Sequence, residues 1–284
     1  MKALPDTAAF AFKSRHYEEL KANSAVCDWV EVHPENYMQT SGVRLAQLEQ
    51  VRNNAALSLH GVGMSLASEQ SLDESHLKQL KQMVDRFQPH SVSEHLAWSH
   101  WNSVYYNDLL PIPYTKELLQ QMCLHVERVQ EVLCRPILIE NPSLLVRYRG
   151  NEYSEGEFLG ELVTRTGCGL LFDLNNLYVS SINLSDNAFE QLADYPLKSV
   201  GEVHLAGHSV EQLEDGTELR IDDHGSEVCD PVWELYRAFL QLTGCRVPTL
   251  IEWDTDTPGL DVLTTEMDRA EQIMATALAG GEAA

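Results

Sequence analysis

The reading of the fold turns on Gly201-Glu202-Val203-His204-Leu205-Ala206-Gly207-His208. Two imidazoles stand four residues apart, a spacing that on a helix would face both onto one side, as in zinc proteases. Glycine at both ends with Val-His-Leu between them reads instead as a buried strand running into a turn. Side chains on a strand alternate between faces, so Val203 and Leu205 share one face and Glu202 and His204 the other. Gly207 frees the backbone to turn, which lets His208 swing back towards His204.

A single strand histidine is more often a hydrogen-bonded core residue than a ligand. Here the pattern recurs along the chain. Ala56-Leu57-Ser58-Leu59-His60-Gly61 puts its leucines on one face and Ser58 with His60 on the other. His95 ends the serine-lined face of Ser91–His95, and Glu140 closes the apolar run Pro136–Ile139. Leu170–Phe172 leads to Asp173, Asn175 and Asn176; Thr249–Ile251 leads to Glu252; Trp29–Val32 leads to His33. In each the polar group stands where the apolar run stops.

Between these strands lie helical patterns: Val43–Arg52, Asp73–Phe87 with Leu77, Leu80, Val84 and Phe87 in register, Thr115–Leu133, a capping box at Ser154–Glu157, a helix near Ala188–Asp194, and Leu260–Leu278. Asp230-Pro231 reads as an N-cap followed by an N1 proline. Leu219–His224 reads as a seventh strand between those ending near His204 and at Glu252. Eight strands alternating with helices over 284 residues, with no composition break, predict one domain over residues 1–284, a single (β/α)8 TIM-type barrel of the α/β class. In such barrels the C-terminal ends of the strands build the site, so the polar terminators are expected to converge on one mouth. The aromatic stretch Ala97–Asp108 reads as a packed loop over that mouth or as a plug closing the barrel.

Composition narrows the function. A formal net charge of −23 argues against a nucleic-acid surface. Six cysteines with no C-x-x-C pair read as reduced residues of an intracellular protein. The apolar run Ala8–Phe12 is too brief for a signal peptide or a membrane span, so a cytoplasmic location without membrane contact is expected. The expected site gathers His60, His95, Glu140, Asp173, Asn176, His204, His208, Asp222, His224 and Glu252. So many carboxylates in one mouth repel one another unless cations are bound. Ten donors exceed the four to six that one first-row metal takes. Two or three ions are implied, and mixed imidazole and carboxylate donors without thiolate suit iron, manganese or zinc.

Val30–Tyr37, Ser58–Gly63, Ser93–Trp98, Ile139–Pro142 and Val203–His208 together resemble the multinuclear non-haem iron-dependent oxidative enzymes, a family that includes the oxygenase of methanobactin biosynthesis. The resemblance runs from about His16 to Ala270. It implies a xylose-isomerase-like barrel holding two or three irons in mixed-valent Fe2+/Fe3+ form, with zinc or manganese as other occupants of the purified protein. By it, Glu140, Asp173, His204 and Glu252 surround one iron, and His60 and His95 hold a second with Glu140 bridging. Asn176, His208, Asp222 and His224 hold a third, weaker one. It further implies O2-dependent modification of cysteine in a ribosomally made precursor peptide, presented by a small partner protein. Three rivals use similar residues: a divalent-metal sugar isomerase or epimerase, a metal-dependent phosphodiesterase, and a non-catalytic metal-binding protein. The first usually needs a lysine or paired acids poised for proton transfer, and no lysine stands at a strand end.

Overall fold

The computed structural model describes residues 2–23, 25–38, 41–101 and 104–279, without the side chains of Trp101 and Asn107. Its strands are β1 (Ala8–Ala11), β2 (Trp29–Val32), β3 (Ala56–Gly61), β4 (Ser91–His95), β5 (Trp98–Trp101), β6 (Val104–Leu110), β7 (Leu138–Glu140), β8 (Gly169–Asp173), β9 (Val200–Ala206), β10 (Ser209–Gln212), β11 (Glu218–Ile221) and β12 (Thr249–Glu252). Eight of them close a parallel barrel in the order β1-β12-β9-β8-β7-β4-β3-β2. The helices are α1 (Tyr17–Ala22), α2 (Val43–Arg52), α3 (Glu74–Phe87), α4 (Lys116–Leu133), α5 (Glu155–Thr166), α6 (Leu174–Leu184), α7 (Ala188–Gln191), α8 (Asp230–Thr243) and α9 (Leu260–Ala279). The predicted (β/α)8 architecture is present.

Two strand assignments change. Leu219–His224 is not a barrel strand: β11 pairs antiparallel with β10, Ser209 opposite Ile221, in a hairpin of half-buried and exposed residues that follows β9. The eighth barrel strand is β1, which lies between β12 and β2, with Ala8 opposite Thr249 and Phe10 opposite Val30. Its alanines carry little strand propensity, but burial on both faces overrides that preference. The stretch read as an aromatic loop is the antiparallel hairpin β5–β6; Asn102 and Ser103 at its tip lie outside the described residues.

The helices form where the pattern put them, for identifiable reasons. Asp73 caps α3 by accepting from the backbone N–H of Ser75 and His76, and Thr115 caps α4. The Ser154–Glu157 capping box is complete. Asp230 is the first residue of α8 rather than its cap, a place held by Cys229. Asp173 ends β8 and caps α6 at once, accepting from Asn176 N–H at 2.6 Å. That direct strand-to-helix junction fixes Asn175 and Asn176 on the first turn of α6.

Strand alternation sorts the barrel into an outer and an inner side. Phe172, Val203 and Leu205 join the main core under the helices, where Phe172 packs on Phe239 with ring centroids 5.9 Å apart. Each such side chain contributes about 1.5–3 kcal/mol of burial. A separate small cluster of Leu4, Ala9, Ala11, Trp29 and Leu250 includes the first turn-inward residues of β1, β2 and β12. Further along, on every one of these strands but β1, the inward side chains become polar, for example Glu31, then His33, on β2 and beyond; Ser58, then His60, on β3; Glu202, then His204, on β9; Glu252, then Asp254, on β12. The barrel is thus dry at one end and ionisable at the other.

Candidate metal centre

Six predicted residues converge at the C-terminal ends of the strands. His95 Nε2 lies 2.8 Å from Glu140 Oε2, and His60 Nε2 lies 3.0 Å from the same oxygen. The two Nε2 atoms are 3.2 Å apart. His95 Nδ1 faces the carbonyl of Gly61 at 3.0 Å, and a carbonyl only accepts, so the ring proton sits on Nδ1. His60 Nδ1 is engaged by Ser93 Oγ at 2.8 Å. The cluster-facing nitrogen of neutral His95 is therefore a bare lone pair pointing at a carboxylate oxygen. Acceptors this close need a proton or a metal ion between them.

Glu140 also turns its other oxygen to a second group. His204 Nδ1 is 3.6 Å from Glu140 Oε1 and 2.9 Å from Glu252 Oε2. Donor atoms of Glu140, Asp173, His204 and Glu252 all lie within 4.8 Å of one another, as do those of His60, His95 and Glu140. All six side chains are buried. Glu140 Oε2, Asp173 Oδ2 and Asn176 Oδ1 have no hydrogen-bond partner of good geometry.

Electrostatics show the strain of this packing. Burial pushes the Asp173 carboxyl well above its ordinary range, and Glu140 and Asp222 push it further. Burial opposes a proton on His204, but Glu31 and Glu252 outweigh it and lift its pKa well above that of a free imidazole. Burial likewise opposes a proton on His95, yet Glu140 beside it raises the pKa to about 9. The protein's own groups thus hold protons where carboxylates and imidazoles would otherwise clash, and the same positions fit metal ions.

The remaining four predicted residues are spread more widely. His224 Nε2 is 2.7 Å from Asp222 Oδ1, and its Nδ1 is 3.4 Å from Glu252 Oε2. His208 Nδ1 is 2.8 Å from Asn175 Oδ1, and Asn175 donates to Asp222 at 2.7 Å. His208 therefore reaches Asp222 through Asn175, while Asn176 donates its amide to the carbonyl of Asn141. Gly207 allows this turn for a steric reason: a Cβ there would stand 2.1 Å from the carbonyl oxygen of Ser226.

Three neighbours of the site lie outside the set expected from the sequence. Glu31 and Glu202 lie beneath His204. Asp254 sits beside His33 and His224 at 3.7 and 3.5 Å. Glu202 and Asp254 each stand two positions from a predicted ligand on the same strand face, which is their signal in the sequence; Glu31 has none, since its strand carries no predicted ligand. The centre opens into a cleft of about 470 Å3, walled by Glu35, Tyr105, Tyr106 and Asp108 on the hairpin side and by Ser143, Asp222 and Asp223 on the other. Tyr105 donates its hydroxyl to the Val62 carbonyl at 3.3 Å, and Tyr106 packs edge-on to Trp98.

A family profile described as the RiPP precursor modification enzyme MbnB/TglH/ChrH matches residues 7–275. A UPF0276 protein of Caulobacter sp. strain K31 is 48% identical over 268 residues, covering 94% of this chain and 96% of its own. A UPF0276 protein of Rhizobium meliloti is 44% identical over 277 residues, covering 96% of this chain and 88% of its own. Among solved structures, an L-ribulose 3-epimerase superposes with a TM-score of 0.62 at 14% identity, covering 99% of this chain and 97% of that one. A xylose isomerase-like TIM barrel protein from Mycobacterium smegmatis, in complex with magnesium, gives 0.60 at 14% identity, covering 98% and 100%. The fold is that of the xylose-isomerase-like barrels.

Proposed function

Because this chain belongs to the MbnB/TglH/ChrH family of RiPP precursor modification enzymes, we propose that it oxidises a cysteine of a ribosomally made precursor peptide with O2 at a multinuclear non-haem iron centre. The observation that carries the reading is the pair of donor groups sharing Glu140, His60–His95–Glu140 and Glu140–Asp173–His204–Glu252, whose buried acceptor atoms face one another. Two adjacent ions fit them, and Asp222 with His224 offers donors for a third beside Glu252. Iron bound there would supply thiolate ligation and O2 activation at neighbouring positions.

The chain's own residues do the rest. His60 and His95 are held by Ser93 and the Gly61 carbonyl, so their donor atoms are aimed before any substrate arrives. The cleft admits a side chain from solvent, and Tyr105 and Tyr106 stand in its wall. The donor set contains no protein thiolate, which leaves the sulfur position to the substrate. The apolar hairpin residues Val104, Tyr105 and Tyr106 are exposed beside the mouth, and we assign them to docking the peptide together with a small partner protein that presents it. Catalysis in the cytoplasm, where a precursor cysteine stays reduced, fits the six free cysteines of this chain. Among the described residues no helix is long and apolar enough to cross a membrane.

The test is mass spectrometry of the candidate peptide after incubation with iron-loaded enzyme, with and without O2, reductant and partner. The expected result is an O2-dependent mass change that disappears when the peptide cysteine is replaced by serine. An unchanged mass under complete conditions, or equal modification of the serine peptide, overturns the reading.

A further inference from the structure

The proposed ligand His204 has a carboxylate at each ring nitrogen. On the mouth side Nδ1 is 2.9 Å from Glu252 Oε2. On the inner side Nε2 is 3.3 Å from Glu31 Oε1. A neutral imidazole carries one N–H, and whichever nitrogen holds it cannot offer a lone pair. Glu252 and Glu31 therefore compete for the same proton. If Glu252 wins, Nδ1 is blocked towards Glu140 and Asp173; if Glu31 wins, Nδ1 is free to ligate.

Without metal the hydrogen bond is the one between Nδ1 and Glu252, and Nε2 has no hydrogen bond of good geometry; a cation held by Nδ1 and Glu252 would displace that proton, and Glu31 is then the carboxylate facing Nε2. Ser58 Oγ touches Glu31 Oε2 at 3.0 Å and Glu202 Oε2 at 3.1 Å. Glu31 stands on β2 and Ser58 on β3, neighbours in register. Glu202 stands on β9, separated from β2 by β1 and β12, so the contact spans the barrel interior. Glu31, Ser58, Glu202 and His204 are each at most 1% exposed. With Oε2 against Ser58 in a dry interior, Glu31 keeps its Oε1 towards His204.

We propose that Glu31, braced by Ser58 and Glu202, is a positioning residue that holds the His204 proton on Nε2 and so delivers Nδ1 to the metal centre. The inference rests on the metal-centre part of the proposed function and not on its peptide chemistry.

Co2+ titration of the metal-free protein tests it, read by bound metal per chain and by the visible d–d bands. Glu31→Leu removes the acceptor at Nε2, and Glu31→Gln keeps one in its amide oxygen. The expected result is loss of about one Co2+ equivalent with altered bands in Glu31→Leu. Glu31→Gln should retain the wild-type stoichiometry with affinity lowered about 10–100-fold, the range for lost outer-shell partners. A purely structural role would lower the melting temperature of Glu31→Leu and leave the stoichiometry and bands of the folded protein unchanged; that result overturns the inference alone. If Glu31→Leu does not fold, Glu31→Gln and Ser58→Ala decide, and wild-type affinity and bands in both overturn it. Wild-type protein that takes up no Co2+ at all overturns both this inference and the metal centre.

Discussion

Glu140 is the side chain on which the two donor groups meet: one oxygen faces His60 and His95, the other faces His204. Replacing it by alanine removes a donor from both. Asn176→Ala removes a neutral donor from one edge of the cluster. Metal analysis should therefore find a larger loss in Glu140→Ala than in Asn176→Ala; equal losses count against bridging. The same packing sets a pH dependence for the metal-free protein. His95, lifted from 6.5 to about 9 by Glu140 against the effect of burial, keeps a proton that the unfolded chain releases. Its stabilisation is complete below pH 6.5 and is lost as pH rises through 9. Glu94, pushed from 4.5 up to about 8 by burial and by Glu35, acts in the same sense between those values. The melting temperature of metal-free protein should fall as pH is raised from 6.5 to 9, and bound metal, which needs His95 unprotonated, should flatten the His95 part of the slope. Thermal melts with and without chelator measure this, and a flat metal-free profile would contradict it. The strand-end residues were legible because a single polar group stood at the end of each apolar run. Glu31 and Glu202 were not given a site role, because a mid-strand acid carries no sign of which interior layer it occupies.

At the scale of elements, the hairpin β5–β6 and the turn after β9 shape access to the centre. Tyr105 hangs over the cleft on the Val62 carbonyl, outside the donor groups. Tyr105→Ala should raise KM for the precursor peptide and leave bound metal per chain unchanged; a loss of metal would place Tyr105 in the centre instead. At Gly207, where a side chain would meet backbone rather than a flexible tip, Gly207→Ala should cost about 1–3 kcal/mol, the usual range for overpacking. Denaturant unfolding checks it, and an unchanged midpoint would show that the Ser226 segment can withdraw. Legibility differed by element. Alternation and helical spacing revealed seven of the barrel strands, since each joins an apolar outer face to a polar inner end. β1 escaped because Ala8-Ala9-Phe10-Ala11 is apolar on both faces and ends in no polar group. β11 reads as a barrel strand because it leads into Asp222 and His224, which reach the centre from a hairpin rather than from the barrel wall. Periodicity reports which face of a strand is buried, not which strand lies beside it.

For the whole molecule, closure depends on β1, which pairs with β2 on one side and β12 on the other. Removing residues 2–11 should leave two unpaired strand edges and abolish cooperative thermal unfolding; a truncated chain that still melts cooperatively would show that β2 and β12 can meet directly. That closure has a consequence for how the protein is made. Lys13, just past β1, pairs with Asp254, just past β12, 241 residues later in the chain. At roughly 5–20 residues per second, a ribosome takes about ten to fifty seconds to add that length. Throughout that interval β1 lacks its neighbour β12, and Glu252 does not yet exist. The donor group it completes cannot form before that strand is in place, so under the proposed function an ion held by Glu140, Asp173, His204 and Glu252 enters a finished barrel through its mouth. Loading is then a post-translational step, open to competition among whichever ions the cell holds free at that moment.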